Sequence, residues 1–523
     1  MAEERQRWGT NIGIVLAVAG SAVGLGNFLR FPGQAAANGG GAFMIPYFIS
    51  LILIGIPLIW VEWTAGRYGG GFGHSSAPGI LQVLWKKNPL IKYLGVAGIF
   101  GPFLIYMYYV YIESWCLAYA YYSITGQLSN ITTSQGFVNF LSIYQGVDSS
   151  GTFSGTLPGF IFFLITFLLN VTVIYYGIRG GIEKLCTIAM PLLLLFGAVL
   201  VVRVITLFAP DPLHPDWSSI NGLGFLWNPD FSALKSARVW LAAAGQIFFT
   251  LSVGMGVILT YASYLKKKDD VALSGLAAGA TNEFAEVIIG GSIVIPAAFI
   301  FFGPNDIIGI AESGVFNLGF VTMPQIFDKL PIGALFGFLW FFMLFMAGIT
   351  SSISIAQPSV AFLEDEYGMK RQKAVRIFAI ASFILCQPAI WFIHRGVLDD
   401  LDFWGANFFI VLGATLEIIL LAWVFGMDKA WKELHDGARL RVPRIFKFII
   451  KFITPTFLLA ILGYWFATDW WGVITMEGVA DENVPYVLGT RLLLVGMLIL
   501  LAILVRIAWQ RHKRRENNQR SIS

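Results

Sequence analysis

Two apolar stretches of this chain are each interrupted at mid-length by a glycine-bearing pentad. Ala22-Val23-Gly24-Leu25-Gly26 lies within a run from about Ile12 to Ala37, and Ser252-Val253-Gly254-Met255-Gly256 within one from about Val239 to Tyr264. In lipid every backbone N–H and C=O needs a partner, so a broken helix survives at bilayer depth only where it lines a protein-enclosed cavity. Two breaks in matching places point to a transport site between inverted repeats. Composition supplies the premise that these runs sit in lipid. Of 523 residues, 57% are hydrophobic and 13% charged, against about 25% charged in a soluble domain.

Apolar segments of about 20 residues recur along the whole length, about twelve in all. Their cores lie near 12–36, 42–66, 93–124, 158–178, 186–208, 239–264, 271–302, 333–362, 374–394, 403–426, 446–468 and 488–510. An all-α integral membrane protein is expected, with no separate soluble domain. Basic residues concentrate in alternate loops: Arg5 and Arg7, then Arg67, Lys86, Lys87 and Lys92, then Arg179 and Lys184, then Lys266 to Lys268, then Lys370 to Arg376. The positive-inside rule then places both termini in the cytoplasm of a multi-pass inner (plasma) membrane protein. The N-terminus is too polar for a cleaved signal peptide. The net charge of +4 is modest and says nothing about nucleic acid, the basic residues lying in loops between spans; no nucleic-acid partner is expected, and membrane lipid is the expected surround. Cys116, Cys186 and Cys386 lack CxxC spacing and read as buried free thiols. Ile307–Ser313 reads as a short surface helix over the outer mouth, and Asn130-Ile131-Thr132 is a lone sequon. Gly69-Gly70-Gly71-Phe72-Gly73 lacks the lysine and strand of a P-loop.

Unwinding a helix frees carbonyls on one side for a cation, and N–H groups on the other for a carboxylate. Gly24 and Gly26 let the backbone approach a ligand closely. Asn27, Thr250, Asn282 and the run Thr350-Ser351-Ser352 offer neutral side-chain oxygens at membrane depth, the donors a hard cation takes. A hydroxyl in a span commonly bonds its own helix backbone instead; an amide needs several partners and is harder to satisfy that way. Glu286 lies one turn beyond Asn282 on the same face, whereas Glu283 is expected about a quarter-turn away. A charge at mid-membrane costs at least about 2.5 kcal/mol, which makes Glu286 a functional candidate.

The runs Gly20 to Pro32, Asn38 to Phe43, Gly245 to Ser252 and Ala347 to Pro358 resemble the signature of neurotransmitter:sodium symporters. The similarity covers nearly the whole chain and extends to the bacterial leucine carriers. It implies five helices repeated in inverted topology, with the first and sixth unwound, and two peripheral helices. The corresponding division is a cytoplasmic segment 1–10, repeats 11–212 and 234–427, and 428–523 for the last two spans and tail. It implies two Na+ ions. The first would be held by the Ala22 carbonyl, Asn27, Thr250, Asn282 and the substrate carboxylate. The second would be held by the carbonyls of Gly20, Val23 and Ala347 with Thr350 and Ser351. An amino acid would place its carboxylate on the Leu25 and Gly26 N–H groups and the Tyr109 hydroxyl. Its ammonium would meet Ala22, Phe249, Thr250 and Ser252. Ile105, Tyr109, Phe249, Ser252, Met255, Ser351 and Ile355 would line the side-chain pocket. Gly24 stands where monoamine-carrying relatives have aspartate, which favours amino acids. Met255 and Ile105 replace the phenylalanine and valine of the leucine carrier, so medium to large apolar substrates are expected.

Glu286 matches the carboxylate of chloride-independent members and would lie near Tyr47, Gln246 and Thr250. Arg30 with Asp402 would gate the outer side. Arg5 with Asp365, together with Trp8, Ser263 and Tyr264, would gate the inner one. A homodimer is left open. A sensor or leak channel on the same scaffold is the competing class, though paired gates argue against a continuous hydrated path. No nucleophile–base pair or cofactor motif points to an enzyme, and the five histidines fall near loops or span ends as expected of solvated residues.

Overall fold

The computed structural model describes residues 6–131, 133–147, 156–312 and 314–522, with the side chains of Asn305, Val315 and everything beyond Arg511 outside that description. Ten of the described helices are long and apolar enough to cross a membrane unbroken. Two further spans are broken. The helices relevant here are α1 (Asn11–Ala22), α2 (Gly26–Ala37), α3 (Gly41–Gly70), α4 (Ile91–Ile124), α5 (Leu157–Tyr175), α6 (Ile178–Ile205), α7 (Ala237–Thr250) and α8 (Val257–Ser263). They continue with α9 (Ala272–Pro304), α10 (Gly333–Tyr367), α11 (Arg371–Trp391), α12 (Val397–His435), α13 (Ile445–Thr468) and α14 (Val484–Arg511). Taking α1 with α2 and α7 with α8 as single spans yields the twelve expected.

Each break has a local cause. Between α1 and α2 the axis bends by 50°, and the unwound residues are fewer than the pentad predicts. Leu25 is already helical, leaving Val23 and Gly24 as the bend. Between α7 and α8 the whole of Leu251–Gly256 is unwound. Ser252, Gly254 and Gly256 take φ of 53°, 79° and 70°, a region L-residues avoid. A Cβ on Gly254 would strike the Ile410 carbonyl and come within 2.8 Å of the Ala414 nitrogen. The second break is thus pressed against α12. Its freed Gly254 N–H is taken by Glu62 Oε1 of α3 at 2.5 Å.

Thr10 caps α1, its hydroxyl accepting from the Gly13 N–H at 2.9 Å. Glu183, just before the α-helical part of α6, accepts from Gly9 N at 2.7 Å and Thr10 N at 3.0 Å. A carboxylate there also meets the positive end of the helix. The 35-residue α10 packs along α4 and touches α1 and α6. Both α13 and α14 turn apolar residues such as Phe457, Leu492 and Ile499 outward, as lipid-facing helices do.

Some expectations change. The helix after Gly303 (φ 79°) runs through Glu312, while Ser313 lies outside the described residues, as do Thr132 of the sequon and Arg5 of the inner gate. His74 is not a solvated residue: its Nδ1 lies 2.8 Å from the buried Glu366. The three cysteines are buried and free.

Gly254→Ala combines a left-handed backbone with a clash against α12. The variant is expected to lose about 2 kcal/mol or more of stability, read as a lower midpoint of thermal unfolding in detergent. An unchanged midpoint would show that the break relaxes freely.

Candidate functional site

The two breaks face each other through side chains from four other spans. At the first, Asn27 is almost fully buried (1% exposed). Its Oδ1 accepts from Gly24 N at 2.8 Å, which ties the amide across the bend. Its Nδ2 lies within hydrogen-bond distance of Thr250 Oγ1 (3.1 Å), Asn282 Oδ1 (2.9 Å) and Glu286 Oε2 (2.9 Å). Asn282 Nδ2 donates to Thr250 Oγ1 at 2.9 Å, and the Thr250 hydroxyl also contacts Glu286 Oε2. Gln246 Nε2 donates to Glu286 Oε1 at 2.8 Å. Asn27, Thr250, Asn282 and Glu286 are therefore one buried cluster drawn from α2, α7 and α9. Amide and hydroxyl donors converge on both oxygens of Glu286, a pattern that suits an acceptor-only carboxylate.

Tyr47, expected beside Glu286, bonds Glu283. The tyrosine hydroxyl of Tyr47 donates to Glu283 Oε2 at 2.7 Å, and Asn282 Nδ2 lies 3.5 Å from Glu283 Oε1. A wide π-helical turn begins at Phe284 and runs to Gly290, so ideal α-helical spacing does not hold there. Such turns recur at functional sites, and their position has no simple signal in residue pattern.

Around Gly24 a second set of groups converges. Tyr109 Oη accepts from Leu25 N at 3.2 Å. A Cβ on Gly24 would sit 2.8 Å from that hydroxyl and 2.9 Å from Ser351 Oγ. Ser351 Oγ donates toward the carbonyls of Ser21, Gly20 and Val23 at 3.1, 3.3 and 3.4 Å. Thr350 bonds its own helix at Met346 and Ala347, with its Cβ 3.1 Å from where a Gly20 Cβ would stand. Hydroxyls and freed carbonyls thus share one spot, the neutral oxygen set that suits a monovalent cation. Ser352 faces away and donates to Asn170 Oδ1 at 2.6 Å, where Asn170 also bonds the buried Glu113. Ser252 Oγ is held by the Ser21 carbonyl at 3.0 Å. Ile105 lies one turn before Tyr109, Ile355 one turn after Ser351, and Met255 in the second break; all three are buried. Ala22 ends α1 beside them.

At one end of this core Arg30 lies over the Phe249 ring, 4.4 Å from its centroid. The Phe249 ring also occupies the space a Gly26 Cβ would need. Asp402 accepts from the Tyr108 hydroxyl at 2.6 Å. No Arg30–Asp402 ion pair forms among the described residues. At the other end Trp8 donates to the Tyr261 carbonyl at 2.9 Å, and Tyr264 accepts from Gln357 Nε2 at 2.9 Å. Ser263 donates to the Thr260 carbonyl of its own helix. The expected set around Asp365 is extended by an unforeseen one. Arg371 reaches Glu364 at 3.1 Å, Gln357 at 3.0 Å and the Ile174 carbonyl at 2.7 Å. Gln6 donates to Glu364 at 3.2 Å and accepts from Ile178 N at 2.9 Å. A basic residue at the start of a helix looks solvated in sequence; only the packing shows it buried.

Two broken helices enclosing oxygen donors and a carboxylate are the features of a membrane carrier of small solutes rather than of an enzyme. Comparison with known proteins agrees. The family profile described as "Sodium:neurotransmitter symporter family" matches residues 5–139 and 129–511. A sodium-dependent transporter of Methanocaldococcus jannaschii is 33% identical over 463 residues, covering 88% of this chain and 90% of that one. The sodium- and chloride-dependent taurine transporter of Canis lupus familiaris is 28% identical, covering 86% of this chain and 76% of its own length. The crystal structure of MhsT in complex with L-phenylalanine superposes with a TM-score of 0.74 at 30% identity, covering 88% of this chain and 99% of that one. The chain belongs to the sodium:neurotransmitter symporter family and has its fold of two inverted five-helix repeats and two peripheral helices.

Gly24→Ala is expected to lower sodium-dependent uptake at least about tenfold, because overpacking a tight core costs roughly 1–3 kcal/mol. Uptake into proteoliposomes, normalised to folded protein by size-exclusion chromatography, checks this. Wild-type uptake would show that the Tyr109 and Ser351 hydroxyls move aside.

Proposed function

We propose that this protein couples the inward sodium gradient to uptake of neutral, apolar amino acids across the plasma membrane, without chloride. The observation that carries this is Glu286, a carboxylate built into the cluster of Asn27, Thr250, Asn282 and Gln246. It supplies beside a cation the negative charge that a chloride-dependent relative takes from solution. Both termini would be cytoplasmic, with the Arg30 and Asp402 end facing outward. The chain would divide into 11–212 and 234–427 as repeats, flanked by 1–10 and 428–523.

Two sodium ions fit the oxygens. One would take the Ala22 carbonyl, Asn27, Thr250 and Asn282. The other would take the carbonyls of Gly20, Val23 and Ala347 with Thr350 and Ser351. The substrate carboxylate would bind the Leu25 and Gly26 N–H groups and Tyr109, completing the first ion's shell. A shared contact makes ion and amino acid raise each other's affinity, and linkage makes the effect reciprocal. The ammonium would meet the unwound carbonyls at Ala22, Phe249 and Thr250 and the Ser252 hydroxyl. Gly24 offers no counter-charge, so an amine without a carboxylate binds poorly. Ile105, Met255 and Ile355 give an apolar, adaptable end, methionine being the most easily repacked of these. Each sodium ion crossing the full potential contributes about 2.3 kcal/mol per 100 mV.

Arg30 over Phe249 would close the outer path, with Asp402 available as its partner. Trp8, Tyr264, Asp365 and Arg5 would close the inner one. Exchanging such contacts for water changes the free energy little, which lets both ends alternate. Glu286 would take a proton on the return leg.

Proteoliposomes with an inward sodium gradient should accumulate labelled leucine, and excess phenylalanine, valine or methionine should compete while lysine and glutamate do not. Binding without accumulation would mark a sensor instead. Glu286→Ser should make uptake respond to chloride; uptake by that variant that is intact and indifferent to chloride would remove the charge role.

A further inference from the structure

Glu113, Asn170 and Ser352 are fully buried on α4, α5 and α10, and they belong to neither proposed ion site nor to the substrate pocket. A carboxyl at membrane depth is costly, and Glu113 forms no ion pair among the described residues. Its two oxygens lie 3.1 and 3.3 Å from Asn170 Nδ2, which is also 3.1 Å from the Thr166 carbonyl. With its nitrogen so engaged, Asn170 turns Oδ1 to α10, where it accepts from Ser352 Oγ at 2.6 Å. Every side-chain oxygen and nitrogen of the three thus has a partner, and a fully satisfied buried network is rigid. Gly348, one turn before Ser352, has no room for a Cβ, which would stand 2.8 Å from Glu113 Cγ. The backbone of α10 is therefore pressed against α4 at the level of this chain.

We infer that Asn170, held by Glu113, is a positioning residue for the second sodium site: through Ser352 it sets the rotation of α10 that aims Thr350 and Ser351 at α1. The inference rests on the two-sodium reading above. Ser351 Oγ points at the carbonyls of Gly20, Ser21 and Val23. Ser352, about 100° further round the helix, is fastened behind it to α5. Apolar side chains at 113, 170 and 352 would fill the same space without fixing an angle, whereas hydrogen bonds are directional. Helix Cα atoms lie about 2.3 Å from the axis and hydroxyls further out, so a rotation of roughly 20° moves a hydroxyl by about 1 Å. Metal–ligand distances hold to about 0.2 Å, so such a turn opens the shell around the ion. Asn27, Thr250 and Asn282 of the first site lie on α2, α7 and α9, and Tyr109 on α4. A turn of α10 therefore falls mainly on the second ion.

The test is binding of labelled sodium to the purified full chain without amino acid, set beside leucine binding at saturating sodium. Without amino acid the first site lacks the substrate carboxylate, so sodium binding reports the second. Ser352→Ala should raise the half-saturating sodium concentration about tenfold, the loss expected on removing a group that orients a metal ligand. Asn170→Leu should raise it at least as far. The double variant should go no further than Asn170→Leu alone, because the hydroxyl acts only through the amide. Leucine affinity should change much less in all three. Ser382→Ala removes a buried hydroxyl that bonds its own helix at the Phe378 and Ala379 carbonyls and should leave sodium affinity unaltered. Folded protein is quantified by size-exclusion chromatography. Unchanged sodium affinity in Ser352→Ala, an additive double variant, or equal loss of sodium and leucine affinity overturns the inference and leaves the carrier reading in place. A wild type that binds no sodium sinks the carrier reading, and the inference with it.

Discussion

The structure turns on how backbone groups freed by two helix breaks are satisfied in a place without water. At the first break the Gly24 N–H goes to the Asn27 side chain and the Leu25 N–H to Tyr109. At the second, the Gly254 N–H goes to Glu62. An unpaired buried N–H costs about 1–3 kcal/mol, so each partner is obligatory. Tyr109 and Glu62 come from neighbouring spans, which fixes the breaks relative to the scaffold, while Asn27 ties the two halves of its own broken span. Asn27 then links one break to the other through Thr250. The site is less a cavity with residues around it than a network in which each broken helix completes the other.

This explains what was legible in the chain and what was not. The breaks announce themselves because glycine, serine and asparagine stand out in apolar runs. Asn27, Thr250, Asn282 and Glu286 do so because polar groups at membrane depth are costly. Recognition of the family motifs added the assignment of roles, which composition does not contain. Hidden were the pairings between distant segments. Glu62 and Glu417 are buried neighbours on α3 and α12, and both lie well within apolar spans, yet which break they support depends on packing. Glu183 bonds Gly9 and Thr10 across more than 170 positions of sequence. Glu283 joins the edge of the central cluster through Tyr47 and Asn282, and Ser352 leaves the cluster of its two neighbours because it faces Asn170.

The two ends of the bundle are closed by different physics. At the Arg30 end the guanidinium lies on an aromatic ring, and the nearby carboxylate bonds a tyrosine. Such contacts are short-ranged and individually weak, roughly 0.5–2 kcal/mol for cation–π. At the Trp8 end, Arg371 joins Glu364, Gln357 and a carbonyl of α5, while Gln6 bridges Glu364 to the start of α6. Several directional bonds must break together there. In this conformation the Trp8 end is the more heavily latched, and the segment before α1 is part of the latch.

That asymmetry bears on how a central event is felt at the ends. Gly13, in the first turn of α1, has no room for a Cβ beside Glu183, so the foot of α1 is clamped to α6. Its far end, at Gly24, is held by hydrogen bonds with Asn27, Ser252 and Ser351 and by contact with Tyr109. A ligand bound at Gly24 would act on one end of a short rigid rod whose other end sits in the latch. Twelve residues of helix at about 1.5 Å each span most of half a bilayer. A rotation at the break therefore strains the bonds that hold Thr10 to Glu183 and Gln6 to Glu364 and Ile178. The glycine at position 24 is where such a rod can pivot, because any side chain there would meet Tyr109 and Ser351 and bind the pivot to the scaffold.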